Sequence, residues 1–231
     1  MKITYIHHSS FLVELPGFYI LFDYTEGTIP ELKEDKPLFV LASHRHGDHY
    51  SSVIFDLKKE HINTRYLLSY DIPKKEVPQE LLSCTDFVMY GEEYHYEAFM
   101  VKTYKSTDEG VAFLLLAEGH WIYHAGDLNN WTWEGESDSW NASMAKNYRE
   151  QISLMKDIAV EAAFLPLDPR QEKHFHLGFD EYMKKVDVLH AFPMHCWGDF
   201  SVIDKLKSMD CSAEYRDKIM EIREDGQSFE L

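Results

Sequence analysis

Four side chains able to ligate a metal ion, His44, His46, Asp48 and His49, fall within six consecutive residues. They directly follow the apolar run Leu38-Phe39-Val40-Leu41-Ala42. A short apolar run of this kind reads as a buried strand. Packing does not explain a strand that ends in imidazoles and a carboxylate. Those are the donors a borderline-soft divalent ion such as zinc prefers. In extended chain His44, His46 and Asp48 project to one side and His49 to the other, so the loop can serve two neighbouring ions. The competing reading is a polar surface turn or a helix N-cap cluster. The i, i+2, i+4, i+5 spacing between a strand and a helix argues against it.

A metal loop of this kind needs a core to hold it. Of the 231 residues, 45% are hydrophobic and 14% aromatic, which is enough for a substantial core. No linker or shift of composition divides residues 1–231, so one domain is expected. The net charge is −17 and the pI about 5.1, which disfavours binding to nucleic acid or an anionic membrane. A bound metal pair reverses the sign locally, so an anionic small substrate stays in view. Residues 1–8 carry no long apolar stretch, and no signal peptide is expected there. The apolar run Val111–Ala117 is far too short to span a membrane. Cys84, Cys196 and Cys211 are few and widely spaced, which points to free thiols and a cytoplasmic setting. Nothing in the sequence assigns an oligomeric state.

Along the chain, residues 2–6 alternate weakly as a first strand. Residues 11–15 and 18–22 flank Pro16-Gly17 and read as a β-hairpin. Residues 23–37 are polar and read as a loop. Val53, Ile54 and Leu57 give residues 50–60 a helical spacing, with Asp48 or Ser51 as the cap. Strands are expected at 65–69, 87–89 and 99–104, with a loop and room for a short helix over 71–83. A second hairpin, 111–117 and 121–123 around Glu118-Gly119, repeats the first. Phe113, Gly119 and Ile122 match Phe11, Gly17 and Ile20 at a constant offset of 102 (113 − 11, 119 − 17, 122 − 20). That repeat favours two β-rich halves joined face to face. A Trp-rich loop at 128–138 precedes a helix over 139–157 and a strand over 161–165. A helix over 178–186 with Asp180 as cap, a strand over 188–193 and a helix over 200–208 follow. The pattern reads as sheets inside and helices outside.

Two further strand ends carry ligand types. Asp127 follows the second hairpin and Gly126, and on its own would be an Asx-turn. His195 follows Pro193, and on its own would be a packed residue. With the 44–49 loop, three polar strand ends are expected to converge on one edge of a layered β-rich fold. In their order and distances, His44-x-His46-x-Asp48-His49, Gly126-Asp127 and His195 resemble the metallo-β-lactamase-fold metallohydrolases. Phe22-Asp23, Tyr123-His124-Ala125-Gly126-Asp127 and Pro193-Met194-His195 look like the branch related to ascorbate-phosphate lactonases. The resemblance runs from the first hairpin to His195.

This resemblance implies an α+β fold, a four-layer αββα sandwich with two metals at one edge. It assigns His44 and His46 to a first metal site, Asp48, His49 and His195 to a second, and Asp127 to both. The family usually supplies a further histidine to the first site from the loop before the second hairpin. Here that loop is Lys105-Ser106-Thr107-Asp108-Glu109-Gly110 and holds none. Ser106, Asp108 or a water then takes its place, or the first site binds weakly. Zinc is the expected ion, one or two per chain, with manganese or iron as alternatives. His8, before the first hairpin, is expected to approach the site.

Other candidates divide between chemistry and packing. His174 and His176, with Arg170, lie in a loop after a strand. They serve either as an exposed turn or as contacts to metal or substrate. Trp131 and Trp133 line a pocket or pack, and packing is the commoner use of a large aromatic. His61, His95, His120 and His190 have no companions and read as structural, and Cys196 as packed.

The expected function is a metal-dependent hydrolase. A metal-activated water attacks an ester, lactone or phosphoester of a small molecule, with Asp48 and Asp127 as catalytic carboxylates. A nucleic-acid phosphodiesterase of the same fold is the first alternative, and the acidic charge argues against it. A non-catalytic metal-binding protein with an incomplete first site is the second. Fold alone does not choose the substrate.

Overall fold

The computed structural model describes residues 1–231. Its strands are β1 (Lys2–His7), β2 (Ser10–Glu14), β3 (Tyr19–Phe22), β4 (Leu38–Ala42), β5 (Thr64–Ser69), β6 (Thr85–Val88), β7 (Glu93–His95), β8 (Phe99–Lys105), β9 (Val111–Ala117), β10 (His120–His124), β11 (Ala159–Pro166), β12 (Asp187–Met194) and β13 (Ser228–Glu230). One sheet has the order β13-β1-β2-β3-β4-β5-β6 and the other β12-β11-β10-β9-β8-β7. In the first, β1 to β3 run antiparallel and β3 to β6 parallel. In the second, β8 to β10 run antiparallel and β10 to β12 parallel. The second sheet thus repeats the directions of the first.

The repeat extends to the register. In the first hairpin Phe11 pairs with Phe22 and Val13 with Ile20. In the second Phe113 pairs with His124 and Leu115 with Ile122, each residue displaced by 102. The two hairpin turns also meet, where Gly17 N donates to Glu118 Oε1 at 2.8 Å.

Alternation along the strands builds the interior. Phe11, Val13, Ile20 and Phe22 turn inward to a core of 50 buried residues shared by both sheets. Phe11 meets Phe164 across the sandwich, ring centroids 4.3 Å apart. Burying one such side chain stabilises the fold by roughly 1.5–3 kcal/mol. Leu12, Leu21, Val40 and Tyr66 face the opposite way into a smaller cluster on the outer face of the first sheet.

Helices cover both outer faces, which completes the αββα sandwich. They are α1 (Leu57–Glu60), α2 (Asp138–Ser153), α3 (Leu177–Lys185) and α4 (Ser201–Ser208). Ser137 caps α2 by accepting from Trp140 N. Tyr148, Ile152 and Tyr182 of α2 and α3 join the main core, and Tyr182 stacks on Tyr123 at 4.8 Å.

Some expectations shift. The helix expected over 50–60 is a 3-10 segment, Ser52–Asp56, leading into the single turn of α1. Val53, Ile54 and Phe55 are weak helix formers, and Ile54 and Phe55 are buried instead against the first sheet. Ser51, not Asp48, supplies the cap. Asp180 lies inside α3, where it accepts from Lys184 Nζ and Tyr215 OH rather than capping. The three-residue edge strands β7 and β13 had no signal in the pattern. No helix is long and apolar enough to cross a membrane.

Candidate metal centre

The polar ends of strands from both sheets meet at one edge of the sandwich. β4 delivers the 43–49 loop, β10 delivers Asp127, β11 delivers Asp168, and β12 delivers His195. Two glycines allow the close approach. Gly110 has φ +71°, and a Cβ there would lie 2.0 Å from Ser43 O and 2.5 Å from His44 Cβ. Gly126 has φ +51°, and a Cβ there would lie 2.7 Å from Ser43 Cβ. Only glycine lets these loops of the second sheet lie over Ser43 and His44. His8 and His195 also take left-handed backbone, φ 50° and 63°. That costs non-glycine residues energy and is typical of sites where side-chain direction matters.

Two groups of four donors result, His8-Asp48-His49-His195 and His44-His46-Asp108-Asp127. Within each, the ligand atoms lie within 4.8 Å of one another. In the first, Asp48 Oδ2 is 3.5 Å from His8 Nε2 and 3.4 Å from His195 Nε2. In the second, His44 Nε2 is 3.4 Å from Asp127 Oδ2, and His46 Nδ1 is 3.5 Å from Asp108 Oδ2. Asp127 Oδ1 also reaches His49 Nε2 at 3.2 Å and His195 Nε2 at 3.6 Å, so Asp127 stands between the groups.

The imidazoles are aimed from behind. His49 Nδ1 donates to Asp23 Oδ2 at 2.7 Å, and His195 Nδ1 donates to Asp168 Oδ2 at 3.0 Å. Ser43 Oγ donates to Asp23 Oδ2 at 2.6 Å and accepts from His44 Nδ1 at 3.0 Å. A neutral ring held in this way carries its proton on Nδ1 and leaves Nε2 to a cation at the centre. Asp23 and Asp168 were not among the expected site residues. Their signal was the one that marked Asp127, an aspartate just past a strand.

Whether this donor set fits a cation can be read from what it leaves unpaired. His8 Nε2, His49 Nε2, His195 Nε2 and Asp127 Oδ1 are buried and make no hydrogen bond. Leaving a buried polar atom unpaired costs about 1–3 kcal/mol. Four such atoms pointing to one place are what a divalent ion satisfies, and imidazole with carboxylate is a suitable donor set.

The charges reinforce one another. Burial alone would raise the Asp127 carboxyl, but His49, His195 and His44 outweigh it and hold it well below the usual carboxylate range. Burial likewise works against Asp48, and the adjacent imidazoles of His195, His8 and His49 hold it low. Asp108 moves the other way, pushed up by burial and by the charge of Asp127. Burial lowers His8.

The remaining candidates separate. Asp108 stands where the expected histidine is missing, and Ser106 Oγ accepts from Asp108 N at 3.1 Å. His174 and His176 lie at the end of a 3-10 segment and the start of α3, outside both groups. Arg170 lines a cavity of about 350 Å³ beside the centre, together with Trp131 and Trp133. Cys196 is buried and lies outside both groups.

Comparison with known proteins agrees with this architecture. The beta-lactamase superfamily domain model matches residues 2–137. A metal-dependent hydrolase of Nanoarchaeum equitans (strain Kin4-M) is 24% identical over 206 residues, covering 84% of this chain and 83% of that protein. The structure of Igni18, a metallo hydrolase from the hyperthermophilic archaeon Ignicoccus hospitalis, superposes with a TM-score of 0.66 at 17% identity, covering 100% of this chain and 98% of that one. CmlA, a diiron beta-hydroxylase from Streptomyces venezuelae, superposes with a TM-score of 0.54 at 13% identity, covering 84% of this chain and 44% of that one. The likeness to these two structures is one of fold. Because the family model takes in 136 of 231 residues (137 − 2 + 1), including the whole 44–49 loop and Asp127, this chain belongs to the beta-lactamase superfamily.

Proposed function

We propose that the protein is a metal-dependent hydrolase of a small-molecule ester, lactone or phosphoester. The supporting observation is the convergence of four unpaired buried atoms, on His8, His49, His195 and Asp127, beside a cavity of about 350 Å³. His8, Asp48, His49 and His195 would hold one ion, and His44, His46, Asp108 and Asp127 a second. A divalent ion held there supplies a water activated near neutral pH and polarises the bond under attack. Zinc suits these donors first, and the two carboxylates of the second group also suit manganese or iron.

The protein's own groups do the rest. Asp48 lines the cavity, and its carboxylate is steadied by His8 and His195. It is the group placed to orient the attacking water and take its proton. Asp127 fixes the spacing of the two groups. Arg170 places a fixed cation at the cavity wall, where it favours an anionic substrate. The 50-residue core shared by both sheets supports one domain over residues 1–231. Three free cysteines support a cytoplasmic setting. The net charge of −17 weighs against a nucleic-acid substrate, and the Asp108 carboxylate in the second group weighs against a non-catalytic role.

The test is metal analysis of the purified protein, followed by turnover of lactone, thioester and phosphodiester panels with and without chelator. Bound zinc, manganese or iron and chelator-sensitive turnover are expected. Unchanged metal content in a His44→Ala, Asp127→Ala double variant would sink the assignment, as would a panel without chelator-sensitive turnover.

A further inference from the structure

We infer that the substrate carries a flat apolar group, which packs on a tryptophan wall beside the metal groups, and an oxyanion that meets Arg170. This rests on the hydrolase reading above. Trp131, Trp133, Trp140 and Met144 line the same cavity as Asp127 and Arg170. The Trp131 and Trp133 rings are nearly parallel, 3° apart in plane with centroids 6.0 Å apart. Trp131 sits against His195, centroids 5.6 Å apart, and its Nε1 donates to Asp127 O at 2.8 Å. The wall therefore starts at the metal groups. It reaches out to Trp140, which is 38% exposed.

Packing does not account for this wall. Trp133, Trp140 and Met144 are absent from the buried core, yet they surround a cavity that also holds the ligand carboxylates. The loop that carries the first two tryptophans is fixed. Trp133 N donates to Asn141 Oδ1, and Asn141 Nδ2 donates back to Trp133 O. The buried Gln171 donates to Asn130 O at 2.9 Å, and Thr107 Oγ1 donates to Asn129 O at 2.6 Å. A pre-set apolar wall spends little ordering entropy on binding, and flat rings match it best.

Arg170 supplies the second requirement. Its Nε and Nη2 donate to Asp168, and its guanidinium lies 4.1 Å from the Trp197 ring centroid. Nη1 makes no hydrogen bond within the protein, which leaves one end of a rigid cation free at the cavity wall. A guanidinium so held suits a carboxylate or phosphoryl oxygen. The volume, about 350 Å³, lies at the low end for ligand pockets and fits one ring plus the scissile group. The substrate class is a small aryl ester, lactone or phosphoester bearing a further oxyanion.

Calorimetry of zinc-loaded protein with phenylphosphonate and methylphosphonate tests this. The phenyl compound should bind at least ~10-fold tighter, which is about 1.4 kcal/mol. Trp133→Ala and the surface variant Trp140→Ala should each shrink that preference with zinc content unchanged. Arg170→Gln should weaken both probes alike, and Arg170→Lys should restore part of the loss. Equal binding of the two probes to the native protein overturns the inference, as does a phenyl preference untouched by both tryptophan variants. If Trp133→Ala loses zinc, Trp140→Ala decides. Chelator-sensitive turnover without phenyl preference overturns this inference alone. Phenyl preference without any turnover overturns the hydrolase reading and leaves the aromatic subsite.

Discussion

Replacing Asp23 by asparagine should cripple metal binding without touching a ligand. Asp23 is fully buried and accepts from Ser43 N at 2.7 Å, Ser43 Oγ at 2.6 Å and His49 Nδ1 at 2.7 Å. Its φ is 42°, a conformation asparagine tolerates, so the backbone can stay in place. An amide keeps the oxygen for Ser43 N but turns an NH2 toward His49. The ring must then accept at Nδ1 and carry its proton on Nε2, the atom that faces Asp127. A ring protonated there cannot ligate. Loss of such a supporting partner costs about 10–100-fold in metal affinity, or roughly 1.4–2.7 kcal/mol. Losing the charge-assisted bonds should also destabilise the fold by about 2 kcal/mol, a fall of roughly 4–8 °C in Tm for a chain of this size. Competition against a chelating dye measures the first effect, and thermal unfolding by circular dichroism the second. Zinc affinity within twofold of the native protein would refute the tautomer argument, whatever the Tm.

Three further outcomes follow from the geometry. Gly110→Ala places a Cβ 2.0 Å from Ser43 O at φ +71°, so a loss of more than ~2 kcal/mol and of bound zinc is expected on denaturant titration. For Asp168, burial alone would raise the carboxyl, but His195 and Arg170 hold it at about 2 against an ordinary 3.8. A depressed carboxylate stabilises above its unfolded pKa, so its contribution of about 2 kcal/mol is present above pH ~4 and fades toward pH ~2. Asp168→Asn should flatten that acid limb of the stability curve, and an unchanged limb would refute the assignment. Gln171→Ala leaves Asn129 Nδ2 unpaired in the interior and removes the Gln171 bonds to Asn130 O and Thr132 O, so a loss of about 1–3 kcal/mol and faster proteolysis within 128–137 are expected.

How much of this was legible depends on whether a local pattern carried the information. The apolar run before His44 and each hairpin are local, and they pointed to a polar strand end and to two β-rich halves, while the four-layer sandwich came from the family resemblance. Asp127 and His195 were found because each follows a strand. Asp108 was harder. Its place beside His46 comes from Gly110 letting a loop of the second sheet rest on Ser43, a contact between segments far apart in sequence. Asp23 entered only through the Phe22-Asp23 match and Asp168 only as part of a loop, neither as a site residue, because they touch the imidazoles from behind and a carboxylate behind a ring adds nothing to the ligand spacing. The 50–60 segment misled because Val53, Ile54 and Leu57 have helical spacing, while Val53, Ile54 and Phe55 have weak helix propensity. There, burial against the first sheet overrode the period. β13 pairs with β1 across almost the whole length of the chain, with Lys2 opposite Glu230, and no window of sequence could announce that.

The two donor groups each draw on both sheets. His8, Asp48 and His49 come from the first and His195 from the second, while His44 and His46 are matched by Asp108 and Asp127. Neither half of the repeat can assemble a complete group by itself. An ion seated there is accordingly a removable rivet through the seam of the sandwich. Prising the sheets apart forfeits its binding energy, so cation concentration becomes a control on how cooperatively the halves separate. The catalytic cargo and the clasp between the duplicated halves are then one object.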